Sequence, residues 1–255
     1  MLNRVDYELV GRFSFEMLSH KSLEERFSLF EAQVLGLGFE GATYTYIPNL
    51  GKDAALKLAP VFAYTRDYPL MFLEEYQAER FDQNDFTIQK IRAGCTDVLD
   101  WSEYRRMRAL THRQIKIVMT AREHGIQQGL TIPTLSGQRG IAGASIISSE
   151  KDASFQLLKE ERLGTLAAIT RIFHIHTYAD KQYVQQLLKH FNDKEKAILK
   201  YLAQGKDFSR IEYVIDVASY KVATQMLKKI RGKFGDVSRD RLMFLVGLLS
   251  LVDDE

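Results

Sequence analysis

Apolar residues recur every three or four positions near the N-terminus, which is the spacing of one face of an α-helix. The pattern predicts two amphipathic helices within residues 6–36. Ser22 is a suitable N-cap for the second helix, because Glu25 lies three residues later and can complete a capping box. Gly36 then predicts the end of that helix.

The pattern changes after this point to the alternation that is typical of β-strands. Strands are predicted at residues 42–48, 56–64, 129–133 and 141–147. Further helices are predicted at about residues 111–123 and 153–176. Strands that are mostly joined by hairpins, with helices at both ends of the segment, indicate an α+β fold in which helices flank an antiparallel sheet.

Aromatic residues are concentrated between Tyr68 and Trp101. Phe72 and Tyr76 are four residues apart, so on a helix that begins at Pro69 they share one face and form an aromatic wall. Such stripes more often belong to an ordinary hydrophobic core than to a ligand site. The residues by themselves leave both interpretations open.

The C-terminal part has the pattern of three short helices. Asn192 and Glu195 form a second capping-box signature, and Ser219 is a suitable N-cap for the third helix. The apolar stripe of the second helix comprises Ile211, Val214 and Ile215. A small all-α helix-turn-helix domain fits this pattern, and a helical dimerisation domain fits the composition equally well.

Composition limits the class of protein. The chain has 255 residues, of which 45% are hydrophobic and 27% charged, as in a folded protein with room for two modest domains. The expected boundaries are residues 1–178 for the first domain, 179–190 for a polar linker and 191–255 for the second. A cytoplasmic protein is predicted, because no apolar run is long enough for a membrane span and no signal-peptide pattern is present.

Signals for catalysis or a metal cofactor are missing from the sequence. No Gly-rich phosphate loop, nucleophile elbow or paired-carboxylate motif is present, so no enzyme is predicted. His174 and His176 are two residues apart and would point to different sides of a helix, which argues against a metal site. The net charge is +2, but residues 219–241 contain seven Lys/Arg against two Asp/Glu. This local excess is compatible with contacts to phosphates.

The aromatic stretch resembles the autoinducer-binding domain of LuxR-type quorum-sensing regulators, in which a Tyr-Pro pair is followed by Trp, Tyr, an Asp-Pro pair and a second Trp. The chain departs from this pattern at Phe72, where the family has Trp, and at Phe86, where it has Pro. Residues 121–133 also closely resemble the family. The matching residues of the aromatic stretch are Tyr68, Pro69, Tyr76, Asp85 and Trp101.

The resemblance implies that the first domain buries an acyl-homoserine lactone or a related small molecule, which requires apolar walls and a few aimed hydrogen-bond partners. Asp85 would accept the ligand amide N–H, and Tyr68 would donate to the acyl carbonyl. Tyr76 and Trp101 would pack the chain and the ring of the ligand. Thr87 would supply a further hydroxyl.

Other positions change this picture. Phe72 has no hydrogen-bond donor, whereas the Trp of the family donates to the lactone carbonyl. An unpaired carbonyl in a closed pocket costs about 1–3 kcal/mol, or roughly tenfold to a hundredfold in affinity. Ile146 stands where the family commonly has a pocket Ser, and strand alternation puts Ser145 on the opposite face. Thr43 and Thr45 share one side of the first strand, which by resemblance lines the pocket.

The second domain resembles the LuxR-type DNA-binding domain at Glu195, Gly205, Lys206, Ile211, Ser219, Ile230, Lys233, Gly235 and Arg239. The match needs one extra residue, either between Ile215 and Ser219 or within the third helix, and Glu212 replaces a small family residue. Both changes bear on the angle between the helices.

Double-stranded DNA and a second copy of the chain are the partners that this resemblance implies. Each basic residue, taken singly, fits a solvated surface charge equally well. The residues expected to reach the major groove are Lys221, Thr224, Gln225 and Lys228, and those expected at phosphates are Lys229, Arg231, Lys233 and Arg239.

The sequence therefore predicts a dimeric, ligand-responsive transcriptional regulator of the LuxR type. A regulator that uses a different ligand, or none, would also explain Phe72 and Ile146. A non-DNA-binding family member that acts as a heterodimerising antagonist would explain the altered turn. An enzyme is the remaining class.

Overall fold

The structure, a computed structural model, describes residues 4–20, 22–50, 60–106, 110–150, 152–179, 182–213, 215–249 and 251–252. The chain divides into two compact units, which comprise residues 1–47 with 60–180 and residues 48–59 with 181–255.

The first unit is a five-stranded sheet with helices on both faces. Its strands form the order β2-β1-β5-β4-β3 with antiparallel pairing, which confirms the predicted α+β class. The elements are α1 Arg4–Ser19, α2 Leu23–Gly36, β1 Gly41–Pro48, β2 Val61–Tyr64, α3 Leu70–Ala78, α4 Phe86–Arg92, β3 Leu99–Asp100, α5 Trp101–Arg106, α6 His112–Glu123, β4 Gln128–Gly137, β5 Gly140–Ser148 and α7 Asp152–Ala179.

Strand alternation gives the sheet two chemically different faces. One face packs on α7 through aromatic side chains: the rings of Tyr44 and Phe173 are 4.9 Å apart, and Phe30 stacks on Phe173 at 4.9 Å. The opposite face carries hydroxyl side chains, including Thr43 and Thr45 of β1. The sheet thus has an aromatic core on one face and a more polar surface on the other.

The local signals for helix starts are confirmed. The amide of Glu25 donates to the Ser22 hydroxyl at 3.1 Å, and the amide of Glu195 donates to the Asn192 side chain at 2.9 Å. In both cases the glutamate carboxylate accepts the backbone N–H of the cap residue, so both predicted capping boxes form. A third capping box begins α6 at Thr111.

The second unit is a small helical cluster. It contains α8 Gln182–Leu188, α9 Asp193–Ala203, a 3-10 helix Phe208–Tyr213, α10 Tyr220–Lys233 and α11 Arg239–Leu248. Ser219 caps α10 as predicted, since its hydroxyl accepts from the amide of Val222 at 3.3 Å. Side chains of the core include Leu187, Ile198, Leu199, Leu202, Ile211, Ala223, Leu227, Ile230 and Leu242.

Several predicted elements differ from the observed ones. Strand β2 begins at Val61, and residues 56–59 of the predicted strand lie outside the described part of the chain. The stretch that was interpreted as a linker contains α8, with Val184 and Leu187 buried. The elements α4, β3, α5 and α11 were not predicted; α4, β3 and α5 have seven, two and six residues, which is too short for a periodic signal.

The predicted second helix of the C-terminal part is a 3-10 helix. Its start is held by Asp207, whose carboxylate accepts the amide of Ser209 at 3.0 Å. β-branched residues at Ile211 and Ile215 disfavour a longer α-helix in this stretch. Val214, which was predicted in the apolar stripe, lies outside the described residues.

Candidate ligand-binding site

A cavity of about 760 Å³ lies in the first unit between the hydroxyl-bearing face of the sheet and the helices that cover it. Its volume falls within the roughly 300–1,000 Å³ that is typical of small-molecule sites. Of the nine ligand-binding residues predicted from the sequence, eight line the cavity. These are Thr43, Thr45, Tyr68, Phe72, Tyr76, Asp85, Thr87 and Trp101.

Asp85, the N-cap of α4, is the polar centre of the cavity wall. Its Oδ1 accepts the amide of Thr87 at 2.8 Å and the Thr87 hydroxyl at 2.7 Å. Its Oδ2 accepts the hydroxyl of Tyr76 at 2.7 Å. These three donors use three of about four lone-pair directions of a carboxylate. The remaining direction can accept one N–H or O–H of a ligand.

Burial, assisted by the charge of Asp85, raises the pKa of Tyr76 well above its ordinary value. The phenol therefore remains protonated and remains a donor to Asp85. The carboxylate is held in place by neighbours that cannot lose their hydrogens near neutral pH.

Tyr68 contributes a hydroxyl to the cavity wall. The side chain is only 4% exposed and lines the cavity. Among the described residues, no hydrogen-bond partner lies within reach of its hydroxyl. Burial, together with the nearby Asp85 charge, raises the pKa of Tyr68, so this hydroxyl keeps its hydrogen. It is available to donate to a ligand carbonyl.

Trp101 is fixed against the sheet. A Cβ at Gly129 would lie 2.4 Å from the indole ring, so only glycine allows the ring to pack at this place. The indole Nε1 donates to the Thr131 hydroxyl at 2.9 Å, which in turn lies 3.1 Å from the Ser145 hydroxyl. The indole hydrogen is therefore committed within the protein, and Trp101 offers a ligand only its ring.

Phe72 lies at the centre of the apolar part of the cavity wall. It is 5% exposed, and its ring centroid is 5.7 Å from that of Tyr76 and 6.2 Å from that of His124. Ala121 and Ile126 belong to the same buried cluster. The position has no hydrogen-bond donor, as its residue type requires.

The prediction for Ile146 is wrong. Its side chain is fully buried and is not part of the cavity wall, whereas Ser145 lines the cavity. Successive side chains of a strand point to opposite faces, and Ser145 pairs across the strands with Thr131, which also lines the cavity. A serine hydroxyl therefore lines the cavity one residue before Ile146.

Sequence reasoning missed many of the apolar residues of the wall. Phe62 and Tyr64 of β2 line the cavity because they pair with Thr45 and Thr43 on β1. Ile47 has the same strand parity as these threonines, so alternation could have identified it. The remaining apolar residues include Phe86, Ile88, Ile91 and Ile141, and the charged ones are Glu74, Arg80, Asp82 and Asp85.

The residues predicted to contact DNA lie mostly on the exposed surface of the second unit. Arg231 is half-buried, and its guanidinium donates to the carbonyl of Val237. Exposed positions are Lys221, Thr224, Gln225, Lys228, Lys229 and Arg239.

Lys233, which was predicted to contact phosphates, is engaged within the protein. Its Nζ lies 2.8 Å from the buried Glu195 carboxylate and 2.7 Å from the carbonyl of His190. The amine also lies 4.6 Å from the ring centroid of Phe191. Lys233 therefore ties α10 to the start of α9, because a buried carboxylate needs a cationic partner.

Glu212 has a contact that its sequence position did not suggest. Its Oε2 accepts the amide of Tyr220 at 2.6 Å, beside the Ser219 cap. The carboxylate thus satisfies a second free N–H at the start of α10 and matches the positive end of the helix dipole.

Within the described ranges, no group of three or more His, Cys, Asp and Glu side chains is placed to hold a metal ion. No helix in that part of the chain is long and apolar enough to cross a membrane.

The fold and the cavity, with its apolar walls and a few aimed polar groups, are those of a small-molecule receptor domain. Residues 22–176 match the sequence model of the autoinducer binding domain, which is more than half of the chain. The chain therefore belongs to the autoinducer-binding-domain family, whose members are receptors rather than enzymes. No curated protein sequence matches it.

Solved structures share the fold. A crystal structure of Escherichia coli SdiA matches with a TM-score of 0.62 at 17% identity, over 97% of this chain and 99% of that chain. SdiA in complex with octanoyl-rac-glycerol matches with a TM-score of 0.57 at 16% identity, over 98% and 97%. CepR2 from Burkholderia cenocepacia, an N-acylhomoserine-lactone-dependent LuxR-family transcription factor, matches with a TM-score of 0.55 at 14% identity, over 71% and 99%.

Proposed function

We propose that the protein is a ligand-responsive DNA-binding transcriptional regulator of the LuxR quorum-sensing type. The ligand-binding domain would comprise residues 1–178 and the DNA-binding domain residues 191–255. One observation carries the receptor part: the hydroxyl of Tyr68, which has no partner among the described residues, and the remaining lone pair of Asp85 both belong to one cavity wall of an autoinducer-binding domain.

The proposed ligand is an acyl-homoserine lactone or a related acyl compound. An amide presents one N–H and one C=O, which match the Asp85 acceptor and the Tyr68 donor. The cavity also offers apolar side chains along which an acyl chain can lie, such as Ile47, Ile88 and Ile141. CepR2 is lactone-dependent by its description and SdiA has been solved with an acylglycerol, so acyl compounds are the first ligands to test.

Native mass spectrometry of the purified protein, followed by thermal melts with added acyl-homoserine lactones, tests ligand binding. A ligand that binds only the folded state stabilises it by about 2.7 kcal/mol at a hundredfold excess over Kd. Asp85→Ala should abolish the shift in melting temperature. Absence of bound ligand and of any shift in the unmodified protein would support a ligand-independent regulator instead.

DNA binding is supported by the exposed, basic side of α10, which carries Lys221, Lys228 and Lys229. A regulator of this type would act in the cytoplasm, and a homodimer would read two half-sites of double-stranded DNA. Light scattering measures the molar mass in solution and thereby tests whether the protein is a dimer. Fluorescence anisotropy with duplex DNA of random sequence tests the contact to phosphates, because such binding strengthens steeply as salt is lowered.

An alternative function is a family member that does not bind DNA and that acts as a heterodimerising antagonist. It is favoured by the 3-10 helix that stands in place of the predicted second helix, and by Glu212 at the start of α10. A negative charge there opposes an approaching phosphate. If the anisotropy of the duplex DNA did not change even at low salt, the result would favour the antagonist over the regulator.

A further inference from the structure

We propose that one face of α1 is the surface through which two copies of the chain associate. The inference rests on the proposed function, in which the protein is a homodimer, and it names the surface that holds this dimer together. It follows from an exposed apolar stripe that is arranged symmetrically about a glycine. The α1 stripe comprises Tyr7, Gly11, Phe15 and Leu18.

The large side chains of the α1 stripe are exposed to solvent. Tyr7 is 63% exposed, Phe15 73% and Leu18 67%. Together with Gly11 they follow one another at intervals of four, four and three residues, so they share one face of the helix. The opposite face of α1 packs on α7, and Phe13 is buried there. The stripe therefore points away from the core of its own domain.

The area of the α1 stripe fits a modest protein interface. The three large side chains expose roughly 400 Å² per copy, and apolar patches of this size on soluble proteins often mark interaction sites. Two copies would bury about 800 Å² through the stripe alone. Glu8, Arg12 and Ser19 are exposed beside it and bring the total to about 1,000 Å². This area is the lower end of what a specific interface needs, so the expected dimer is reversible.

The order of residues in the stripe is complementary to itself. Tyr7 and Phe15 each lie four residues from Gly11, one on either side. When two α1 helices cross in antiparallel directions with a two-fold axis at Gly11, Tyr7 of each copy faces Phe15 of the other. One contact between two copies thus pairs aromatic rings twice.

Gly11 allows the two helices to approach closely. A Cβ at this position would meet no atom of the described residues within 4 Å, so the packing of the domain itself does not require a glycine. Glycine inside a helix also lowers helix stability relative to alanine. In the middle of the stripe, however, a missing side chain shortens the distance between the helix axes and brings the flanking rings into contact.

The charges beside the stripe favour a second copy over other partners. Glu8 and Arg12 are four residues apart along the same edge of the stripe. In the antiparallel pair this edge lies along the same edge of the other copy, in the opposite direction. Glu8 of each copy therefore comes near Arg12 of the other, and the two-fold axis repeats the contact. An anionic membrane surface would require an excess of cations, which this edge does not have.

Sedimentation velocity of the full-length protein over a range of concentrations tests the surface. Phe15→Ser should raise the Kd of the dimer at least tenfold, because a two-fold interface loses two aromatic contacts. Leu157→Ser and Ile175→Ser are the matched controls, since these residues of α7 are exposed to a similar extent, 63% and 62%. Both controls should leave the Kd nearly unchanged.

Gly11→Leu separates the contact between copies from folding. Leucine is a better helix former than glycine and its Cβ has room in a single copy, so the melting temperature of the dilute monomer should not fall. The dimer should nevertheless weaken at least tenfold, because the added side chain fills the point where the helices cross.

Charge reversal tests the antiparallel register. Glu8→Arg alone, or Arg12→Glu alone, places like charges opposite each other twice and should weaken the dimer about tenfold. The variant that carries both substitutions should restore the Kd of the unmodified protein. A double variant as weak as the single ones would overturn the antiparallel arrangement.

Two results would overturn the surface while the proposed homodimer stands. The first is a dimer that Phe15→Ser and Gly11→Leu leave intact, and the second is a dimer that Leu157→Ser or Ile175→Ser dissociates instead. Sedimentation of the unmodified protein as a monomer at every concentration would overturn this inference together with the homodimer of the proposed function.

Discussion

Lys159 of α7 reaches across to Asp100, the residue directly before Trp101, and its Nζ lies 2.6 Å from the Asp100 Oδ2. Asp100 is 5% exposed, and its Oδ1 accepts the amide of Ser102 at 2.8 Å. Burial alone would raise the pKa of Asp100, but the hydrogen bonds from Lys159 and Ser102 bring it below its ordinary value. Helix α7 therefore anchors the backbone that carries the tryptophan of the cavity.

Replacing Lys159 by Met should lower the free energy of unfolding by about 3 kcal/mol, because Asp100 would be left as an unpaired buried charge. Trp101 is the only tryptophan of the chain, so intrinsic fluorescence reports its surroundings directly. We expect a red-shifted emission and a smaller ligand-induced rise in melting temperature.

Arg162→Met is the matched control for this prediction. It also removes a cation from α7, but the pair of Arg162 with Glu161 is exposed and 3.9 Å long. Exposed pairs contribute about 0–1 kcal/mol. Equal effects of the two substitutions on stability and emission would show that Lys159 does not position Trp101.

Gly129→Ala should displace the indole of Trp101, since the new Cβ would lie 2.4 Å from the ring. Overpacking of this kind costs about 1–3 kcal/mol. The expected result is a lower melting temperature, an altered emission spectrum and weaker ligand binding. Gly36→Ala in α2 is the control, because a Cβ there meets no atom within 4 Å, and it should leave all three quantities nearly unchanged.

Tyr68→Phe and Tyr76→Phe should separate ligand binding from stability. The Tyr68 hydroxyl has no partner among the described residues, so its removal should leave the stability of the free protein unchanged and weaken an acyl ligand about tenfold. The Tyr76 hydroxyl donates to Asp85, so its removal should lower the free energy of unfolding by about 1.5–3 kcal/mol. Chemical denaturation and calorimetry measure the two quantities. If Tyr68→Phe destabilised the free protein, this result would contradict the assignment of the Tyr68 hydroxyl as a donor that is free to bind a ligand.

The fold and much of the cavity could be predicted from the sequence because their signals are local. Helical periodicity and capping residues such as Ser22 fix where helices begin, and the resemblance of the aromatic stretch located six cavity residues. Alternation separated Ser145 from Ile146 correctly, but which of the two faces the cavity depends on the helices that cover the sheet. A strand pattern alone does not contain that information.

Other misses came from short elements and distant partners. Helix α4 has seven residues, so Ile91 gave no periodic signal for a place in the cavity wall. Lys233 looked like a surface cation because its partner, Glu195, is 38 residues away in sequence. Periodicity describes which side of an element is buried, and it does not describe which charged group lies opposite.

The Tyr44–His174 pair should make stability depend on pH. The Tyr44 hydroxyl is hydrogen-bonded to Nδ1 of the His174 ring at 2.7 Å, and burial lowers the pKa of His174 to about 4. In the unfolded chain the pKa of a histidine is about 6.5, so between this value and the folded pKa the unfolded chain binds more protons than the folded protein. The free energy of unfolding is therefore highest above this range and falls as the pH decreases. The loss between pH 7.5 and pH 5 should be about 2 kcal/mol.

His174→Gln removes the titration and retains a hydrogen-bond partner for Tyr44. Urea denaturation at the two pH values should show a loss smaller by about 2 kcal/mol than in the unmodified protein. His112→Gln, at an exposed position, is the control. An unchanged pH dependence in His174→Gln would assign the effect to other groups.

Lys228 and Lys233 should affect DNA binding through different mechanisms, provided that the protein binds DNA as proposed. Lys228 is exposed on α10, so Lys228→Ala should weaken binding to duplex DNA and reduce the slope of log K against log salt by about 1. Lys233 is paired with Glu195, so Lys233→Met should instead destabilise the second unit and leave the salt slope unchanged at temperatures where the protein is folded. Anisotropy titrations at several salt concentrations, with thermal melts of the same samples, measure both effects. A reduced slope in Lys233→Met with unchanged stability would mean that Lys233 leaves Glu195 to contact a phosphate.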